Sequence, residues 1–227
     1  MQKNTKTIAA SACLARAGAV FGLAMALVAT GCSVLPKPPT RAAVYDFGPG
    51  PGAGQVALAE PDAQPPVALA DVEMVGLPEA SSALLYRLAY ANAQQLQPYS
   101  QARWSQPPAL LMQQALREQL GQRRAVLSGD DGLAMLLKGK RMPTVLRVQL
   151  EEFSHVFSAP QQSAGLVRLR AVVADASAAG ETLVAQRVFT VQLPAATSDA
   201  AGGAAALAEA AHQAATELAA WMQELGR

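Results

Sequence analysis

The stretch Thr144–Phe157, TVLRVQLEEFSHVF, carries the clearest strand pattern in the chain. Apolar side chains occupy every second position from Leu146 to Leu150, and polar side chains lie between them. This period of two predicts a β-strand with one face in the core. Phe153 has the opposite parity, so we expect a bulge near Glu151-Glu152 that turns the apolar side chains back to the buried face.

Two more strand patterns follow, Leu166–Ala174 and Leu183–Leu193, joined by a turn of small residues that ends at Gly180. Three consecutive strands connected in this way predict an antiparallel meander. The last segment has a helical stripe in which apolar residues alternate steps of four and three: Leu207, Ala211, Ala214, Leu218, Trp221 and Leu225. A coiled-coil seam has the same spacing, but two stripe positions are alanine and the strands need a cover, which favours a helix lying across the sheet.

The region before the meander mixes shorter strand candidates with one helix. The strand candidates are Val44–Phe47, Val67–Val75, Leu84–Ala91 and Leu96–Trp104, with a turn at Asn92. Ser105 is placed to cap a helix that opens with Pro107-Pro108 and ends at Gly121, with an apolar stripe of Leu110, Leu111, Ala115, Leu116 and Leu120. Gly48–Pro66, rich in Gly and Pro, predicts a loop.

The first residues have the features of a secretory signal. Residues 1–31 contain Lys3, Lys6 and Arg16 but no acidic residue, and an apolar run extends from Ala17 to Ala29. The run is shorter than the roughly 20 residues of a membrane-spanning helix. Ala29-Thr30-Gly31-Cys32 resembles the lipobox of bacterial lipoproteins, which implies cleavage before Cys32 and a covalent lipid on its sulfur. Ser33, rather than the Asp of inner-membrane retention signals, implies the outer membrane.

The remaining chain divides into a tether and one domain. Residues 32–42 hold the lipidated Cys32 and a proline-rich tether, and residues 43–227 form the domain. Cleavage also removes Cys13, so no internal disulfide is expected, and the formal charge falls from +1 to −2. This balance gives no basic surplus for nucleic acid. We expect no cofactor other than the covalent lipid.

The sequence contains no pattern that predicts catalysis or a metal site. The two histidines, His155 and His212, have no nucleophile motif around them, and we expect both at polar surface positions. Glu151-Glu152 are neighbours on a strand and point to opposite faces unless the bulge re-aims one of them. Asp130-Asp131 is too short for a calcium loop and predicts a turn. The chain is therefore not expected to be an enzyme.

Three stretches resemble the ABC-type transport auxiliary lipoproteins, a family that includes the lipoprotein of the paraquat-inducible Pqi system. They are YDFGP from Tyr45, LLYRLAYANAQQLQPYSQARWSQPPALLMQQALREQL from Leu84, and LRVQLEEFSHVFSAPQQSAGLVRLRAVV from Leu146. The resemblance covers roughly residues 43–223. It implies an α/β domain, a mainly antiparallel sheet covered by two main helices, similar to the amino-terminal domain of TolB.

The resemblance also implies partners. Members of this family work with an inner-membrane ABC transporter and a periplasmic MCE-domain protein that move lipids between the membranes, and a homo-oligomeric ring is a possible assembly. Two functions remain open: a non-enzymatic auxiliary component that docks by its surface, and a lipid-binding carrier with its own apolar pocket. For docking, two stretches are candidates, Tyr99–Trp104 and Ser158–Gly165. Their candidate residues are Tyr99, Arg103, Trp104, Ser158, Pro160 and Ser163. For Trp104, a packing role is an equally open alternative.

Cys32→Ser should abolish acylation and release the protein from the membrane fraction, because the thioether forms on the Cys32 sulfur. Each buried CH₂ contributes roughly 0.8 kcal/mol to anchoring, so the loss of several chains leaves no stable attachment. Fractionation of cells and mass spectrometry of the amino-terminal peptide measure both effects. An unmodified Cys32 in the wild-type protein would contradict the anchor.

Overall fold

The computed structural model describes residues 41–49, 64–76, 81–128, 142–177 and 179–227. The signal, Cys32 and the tether before Arg41 lie outside these residues, as do Asp130-Asp131 and most of the predicted loop Gly48–Pro66. Cleavage, acylation, the turn at Asp130-Asp131 and the loop at Gly48–Pro66 therefore stay predictions. In the described part of the chain, no helix is both long enough and apolar enough to span a membrane.

Among the described residues, six short strands and two helices precede the three long strands of the meander. In chain order they are β1 (Ala43–Tyr45), β2 (Val67–Leu69), β3 (Glu73–Met74), β4 (Ala83–Leu88), α1 (Ala89–Asn92), β5 (Leu96–Trp104), α2 (Pro108–Gly121), β6 (Val126–Leu127), β7 (Thr144–Ala159), β8 (Gln162–Ser177), β9 (Gly180–Pro194) and α3 (Ala200–Glu224).

Strand β7 is the centre of the sheet. Along one edge it pairs with β8 over its whole length, and β8 pairs with β9, both antiparallel. Along the other edge it pairs in succession with β2, β3 and β4, all parallel. The strands β6, β5 and β1 extend the sheet from β2, β4 and β5 respectively. The sheet is therefore mixed, and its long ladders are the antiparallel ones.

The predicted bulge lies where the sequence placed it. The β7–β8 register shifts between Leu150 and Glu152. Leu146 and Leu150 before the shift, and Phe153 and Phe157 after it, are all buried. One extra residue thus keeps a 16-residue strand apolar toward the same core.

The two main helices cover the buried face. Helix α3 packs on β8 and β9 and also contacts β7, and α2 packs on α3, β3 and β6. The predicted stripe of α3 is buried from Leu207 to Trp221, and Leu225 is its partly buried C-cap. The expectation of an α/β domain whose sheet is covered by two main helices is confirmed.

Several details differ from the sequence expectations. The strand predicted at Val67–Val75 is two short strands, β2 and β3, because residues 71 and 72 leave the edge of β7. The strand predicted at Leu84–Ala91 ends at Leu88, where α1 begins. Ser105 does not cap α2, whose N-cap is Pro107. Leu110 is half exposed and Met112 is buried instead, because at 3.6 residues per turn Met112 lies within the arc of the other stripe residues and Leu110 lies outside it.

Leu218→Ala should destabilise the domain clearly, because Leu218 lies on the buried face of α3 and is fully buried. Truncation of a buried leucine costs about 2–5 kcal/mol, which for a domain of this size lowers the melting temperature by roughly 5–15 °C. Thermal unfolding by circular dichroism measures the shift. Leu183→Ala is the matched control, since Leu183 is 64% exposed; equal melting temperatures for the two variants would contradict the burial of the stripe.

Candidate docking surface and the buried histidine beside it

The Ser158–Gly165 stretch forms the turn between β7 and β8. Ser158 and Pro160 are exposed, as are Gln161 and Gln162, whereas Ser163 is partly exposed. The ladder continues to the tip, where Ala159 pairs with Gln162, and the Ser158 hydroxyl donates to the Gln162 carbonyl at 3.3 Å. The turn is therefore both accessible and held by hydrogen bonds.

The loop before α3 lies against this turn. The Ala195 amide donates to the Ser163 carbonyl at 2.9 Å, and the Ser163 hydroxyl is 3.4 Å from that of Ser198. Asp199 caps α3 by accepting from the Gly202 amide at 2.8 Å, and this bond lowers the pKa of its carboxyl below the usual range. Residues 158–163 and 194–199 thus form one surface, the hairpin end.

The other candidate stretch, Tyr99–Trp104, is not a loop but the second half of β5. Trp104 is only 1% exposed and packs against Phe47 and Phe153, with ring centroids 5.5 and 5.4 Å away. Of the two roles left open for Trp104, docking is therefore excluded and packing in the core is observed, because its strand parity turns the ring into the core. Arg103 is exposed but pairs with β1 and the start of β4, away from the hairpin end.

Tyr99 belongs to one candidate stretch and contacts His155, which pairs across the β7–β8 ladder with Gly165 of the other stretch. Its hydroxyl is 2.9 Å from His155 Nδ1, and its ring lies 4.6 Å from that of Tyr86 between centroids. Burial raises the pKa of Tyr99 to about 12, so the hydroxyl is neutral. The Tyr86 hydroxyl in turn donates to Gln97 Oε1 at 2.8 Å.

His155 is fully buried, so the expectation of a surface position is wrong. The bulge turns it inward, and α3 lies directly over it: a Cβ on Gly203 would be 2.3 Å from His155 Nδ1. Phe157 contacts the ring at a centroid distance of 4.4 Å, and Nε2 has no hydrogen-bond partner among the described residues. Burial lowers the pKa of His155 to about 4, so the imidazole is neutral.

His212 is half-buried on α3, where its Nε2 lies 3.2 Å from the Phe47 carbonyl oxygen. It therefore ties the segment after β1 to the helix, and it is not the freely exposed side chain that we expected. His155 and His212 do not form one site: the first meets Tyr99 and the second Phe47. Neither imidazole ring contacts a serine or threonine hydroxyl among the described hydrogen bonds, since the Thr216 hydroxyl donates to the backbone carbonyl of His212 and not to its ring, so the rings form no nucleophile pair there.

Glu151 and Glu152 are separated by the bulge. Glu151 accepts from Arg170 at 2.7 Å and from Arg168 at 2.9 Å, and these bonds, Arg170 first, lower the pKa of its carboxyl. Glu152 pairs with Arg87 of β4 at 3.1 Å. The two carboxylates therefore serve different arginines and share no site. Within the described ranges, no group of His, Cys, Asp or Glu is arranged to hold a metal ion.

Comparison with known proteins identifies the family. The model for the ABC-type transport auxiliary lipoprotein component matches residues 53–219, which is most of the chain. The chain belongs to this family. It is thereby an auxiliary lipoprotein of ABC-type transport, a component described as auxiliary and not as catalytic. No curated protein is a significant match.

Solved structures share the fold. Protein XCC0632 from Xanthomonas campestris is 22% identical, with a TM-score of 0.61 over 83% of this chain and 94% of its own. An uncharacterized protein is 14% identical, with a TM-score of 0.55 over 80% of this chain and 99% of its own. The hypothetical protein CT253 from Chlamydia trachomatis is 10% identical, with a TM-score of 0.49 over 72% of this chain and 98% of its own. At these identities, the first two show the fold alone.

Acidification should destabilise the domain through His155. The imidazole stays neutral in the folded protein down to about pH 4, whereas the unfolded chain takes up the proton below about 6.5. The stability that neutral His155 contributes is therefore complete above pH 6.5 and is lost as the pH falls toward 4, by about 3 kcal/mol.

Urea unfolding at several pH values between 7 and 4 measures this effect, with His155→Gln as the variant that cannot titrate. We expect the free-energy difference between wild type and variant to shrink steadily across this window. Parallel curves for the two proteins would show that burial does not hold the histidine neutral. Tyr99→Phe keeps the imidazole but removes its hydroxyl partner, and it should retain the pH dependence at a lower overall stability.

Proposed function

We propose that this lipoprotein is anchored to the periplasmic face of the outer membrane and serves a lipid transport system as a non-enzymatic component. In this proposal the hairpin end docks on a periplasmic MCE-domain protein that an inner-membrane ABC transporter drives. The observation that carries the proposal is the family match over residues 53–219, since it makes the chain an accessory of ABC-type transport.

The anchor limits where the domain can work. A tether of about nine residues between Cys32 and Arg41 spans at most roughly 30 Å even when fully extended. The domain then stays close to its own membrane and reaches the inner membrane only through another protein. The predicted lipid on Cys32 and the tether therefore favour a docking role over a shuttle that crosses the periplasm.

The hairpin end has the properties of a recognition surface. Its residues are exposed, yet the β7–β8 ladder and the bonds from Ala195 and Ser163 hold them in place. Loops that a rigid scaffold positions commonly carry binding. Ser158, Pro160 and Ser163, three of the docking candidates, lie here together, and Tyr99 supports the surface from below through His155.

The surroundings of the two histidines support a non-enzymatic role. Neutral His155 lies under α3 with no exposed surface, and His212 is bonded to a backbone carbonyl. A general acid or base has to reach the proton that it transfers. His155 therefore offers no nitrogen to a substrate in solution, and the half-buried His212 has its Nε2 beside the Phe47 carbonyl.

Photo-crosslinking amino acids at Ser158, Pro160 and Gln162 should capture an MCE-domain protein or a neighbouring copy of the lipoprotein in living cells. The crosslinked bands are identified by mass spectrometry. Ser177 provides the matched control, because it is an exposed serine at the other hairpin turn, between β8 and β9. Its Oγ also donates to a carbonyl across the turn, that of Gly180 at 2.8 Å.

We expect strong crosslinks from the hairpin end and weak ones from Ser177. A neighbouring copy captured from either turn would indicate self-association, of which a ring is one form. Equal capture from both turns would remove the assignment of the docking surface to the hairpin end. If the lipoprotein is present at normal abundance and every crosslinking position yields only the uncrosslinked monomer, the docking function itself is contradicted.

A further inference from the structure

The sheet has a break beside Arg147 and Val148, near the start of β7. Strand β2 ends at Leu69, the Ala70 amide still donates to the Leu146 carbonyl of β7 at 3.0 Å, and β3 joins β7 again at Glu73. The chain between them is tied instead to α2, where Gln113 Oε1 accepts from the Val72 amide at 3.1 Å and Gln113 Nε2 donates to Asp71 at 3.0 Å. A cleft therefore opens between β7 and the start of α2.

The cleft has the size and lining of a ligand site. Its volume is about 820 Å³, within the roughly 300–1,000 Å³ typical of small-molecule pockets. Its walls are mainly apolar, and Leu110 at the rim is a large side chain left 51% exposed. The apolar lining residues are Ala70, Val72, Ala109, Leu110, Val148 and Val172. An aliphatic chain fits such a wall.

The polar rim carries charges of both signs in one row. Glu73, Gln149 and Arg170 are paired across the adjacent strands β3, β7 and β8, so the outer two are about 10 Å apart between Cα atoms. Arg170 binds Glu151 through Nε only, and its two terminal amino groups have no partner among the described residues. Among the described residues, Glu73 accepts one hydrogen bond, from Gln149 at 3.2 Å, and it also interacts electrostatically with Arg147.

We propose that this cleft binds a zwitterionic glycerophospholipid. The free fork of Arg170 receives the phosphate, since a guanidinium binds such an oxyanion through two parallel hydrogen bonds. Asp71 and Glu73 on the opposite wall receive the ammonium group. An acyl chain follows the apolar wall through the break in the sheet to Leu110 on α2.

The charge arrangement selects the zwitterion over an anionic lipid. Arg147, the other cation of the rim, is already engaged with both oxygens of Glu181, at 2.6 and 2.7 Å. One available cation therefore faces two carboxylates, Asp71 and Glu73. A headgroup with only negative charge would meet those carboxylates unpaired, which is unfavourable.

This inference rests on the proposed function in lipid transport, and its test needs no transporter. The acylated protein, purified and reconstituted in vesicles, is irradiated with a phosphatidylethanolamine that carries a diazirine in one acyl chain, and labelled peptides are identified by mass spectrometry. Peptides that contain Val72 and Leu110 should carry the label. A failure to capture a partner at the hairpin end would leave this result unaffected, and the converse also holds.

Matched variants make the test specific. Leu110→Glu should reduce labelling about ten-fold or more, because it places a charge on the apolar wall. Leu183→Glu is the control at an equally exposed leucine outside the cleft, and it should label like the wild type. Arg170→Gln should also reduce labelling about ten-fold, since it removes the charged donors to the phosphate.

Competition with unlabelled lipids tests the headgroup. Excess phosphatidylethanolamine should suppress the label in the cleft, and phosphatidylglycerol with the same chains should not. The double variant Asp71→Asn, Glu73→Gln should remove this preference. Equal suppression by both lipids in the wild type would overturn the zwitterionic assignment, and equal labelling of the Leu110→Glu and Leu183→Glu variants would overturn the site.

Discussion

The close contact between helix α3 and the β7–β8 hairpin is the constraint on which the rest of the domain depends. A Cβ on Gly165 would lie 2.6 Å from the backbone of Ala206, and one on Gly203 would lie 2.3 Å from His155. Two glycines, one on each element, let the helix lie almost on the strands. The contact closes the core over the long hairpin and holds the start of α3 beside the tip of that hairpin.

This contact accounts for the hairpin end and for the buried histidine together. Because the first turns of α3 lie on His155, the loop before the helix has to run along the β7–β8 turn, where Ala195 bonds Ser163. The same helix excludes water from His155, which leaves Tyr99 as its hydrogen-bond partner. A structural requirement at the core thus produces a rigid, exposed surface above it.

The opposite edge of β7 has the reverse character. Three short parallel strands fill it in succession, and the interval between β2 and β3 leaves a cleft that is apolar within and charged at its rim. The hairpin end and the cleft are therefore on different parts of one strand. A partner bound at the hairpin end would leave the cleft open.

The sequence by itself determined the elements in which apolar side chains recur within one segment, at every second position in a strand or at steps of three and four in a helix. These are the bulged strand β7, the meander and the stripe of α3. It also carried the lipobox at Cys32 and the family motifs. Only the tertiary structure decided the burial of His155 and Trp104, the break at residues 71–72 and the hydrogen bond between Tyr99 and His155 of the hairpin. The physical reason is that periodicity records which face of an element is apolar, whereas burial of a polar or aromatic side chain depends on what another, distant segment places above it.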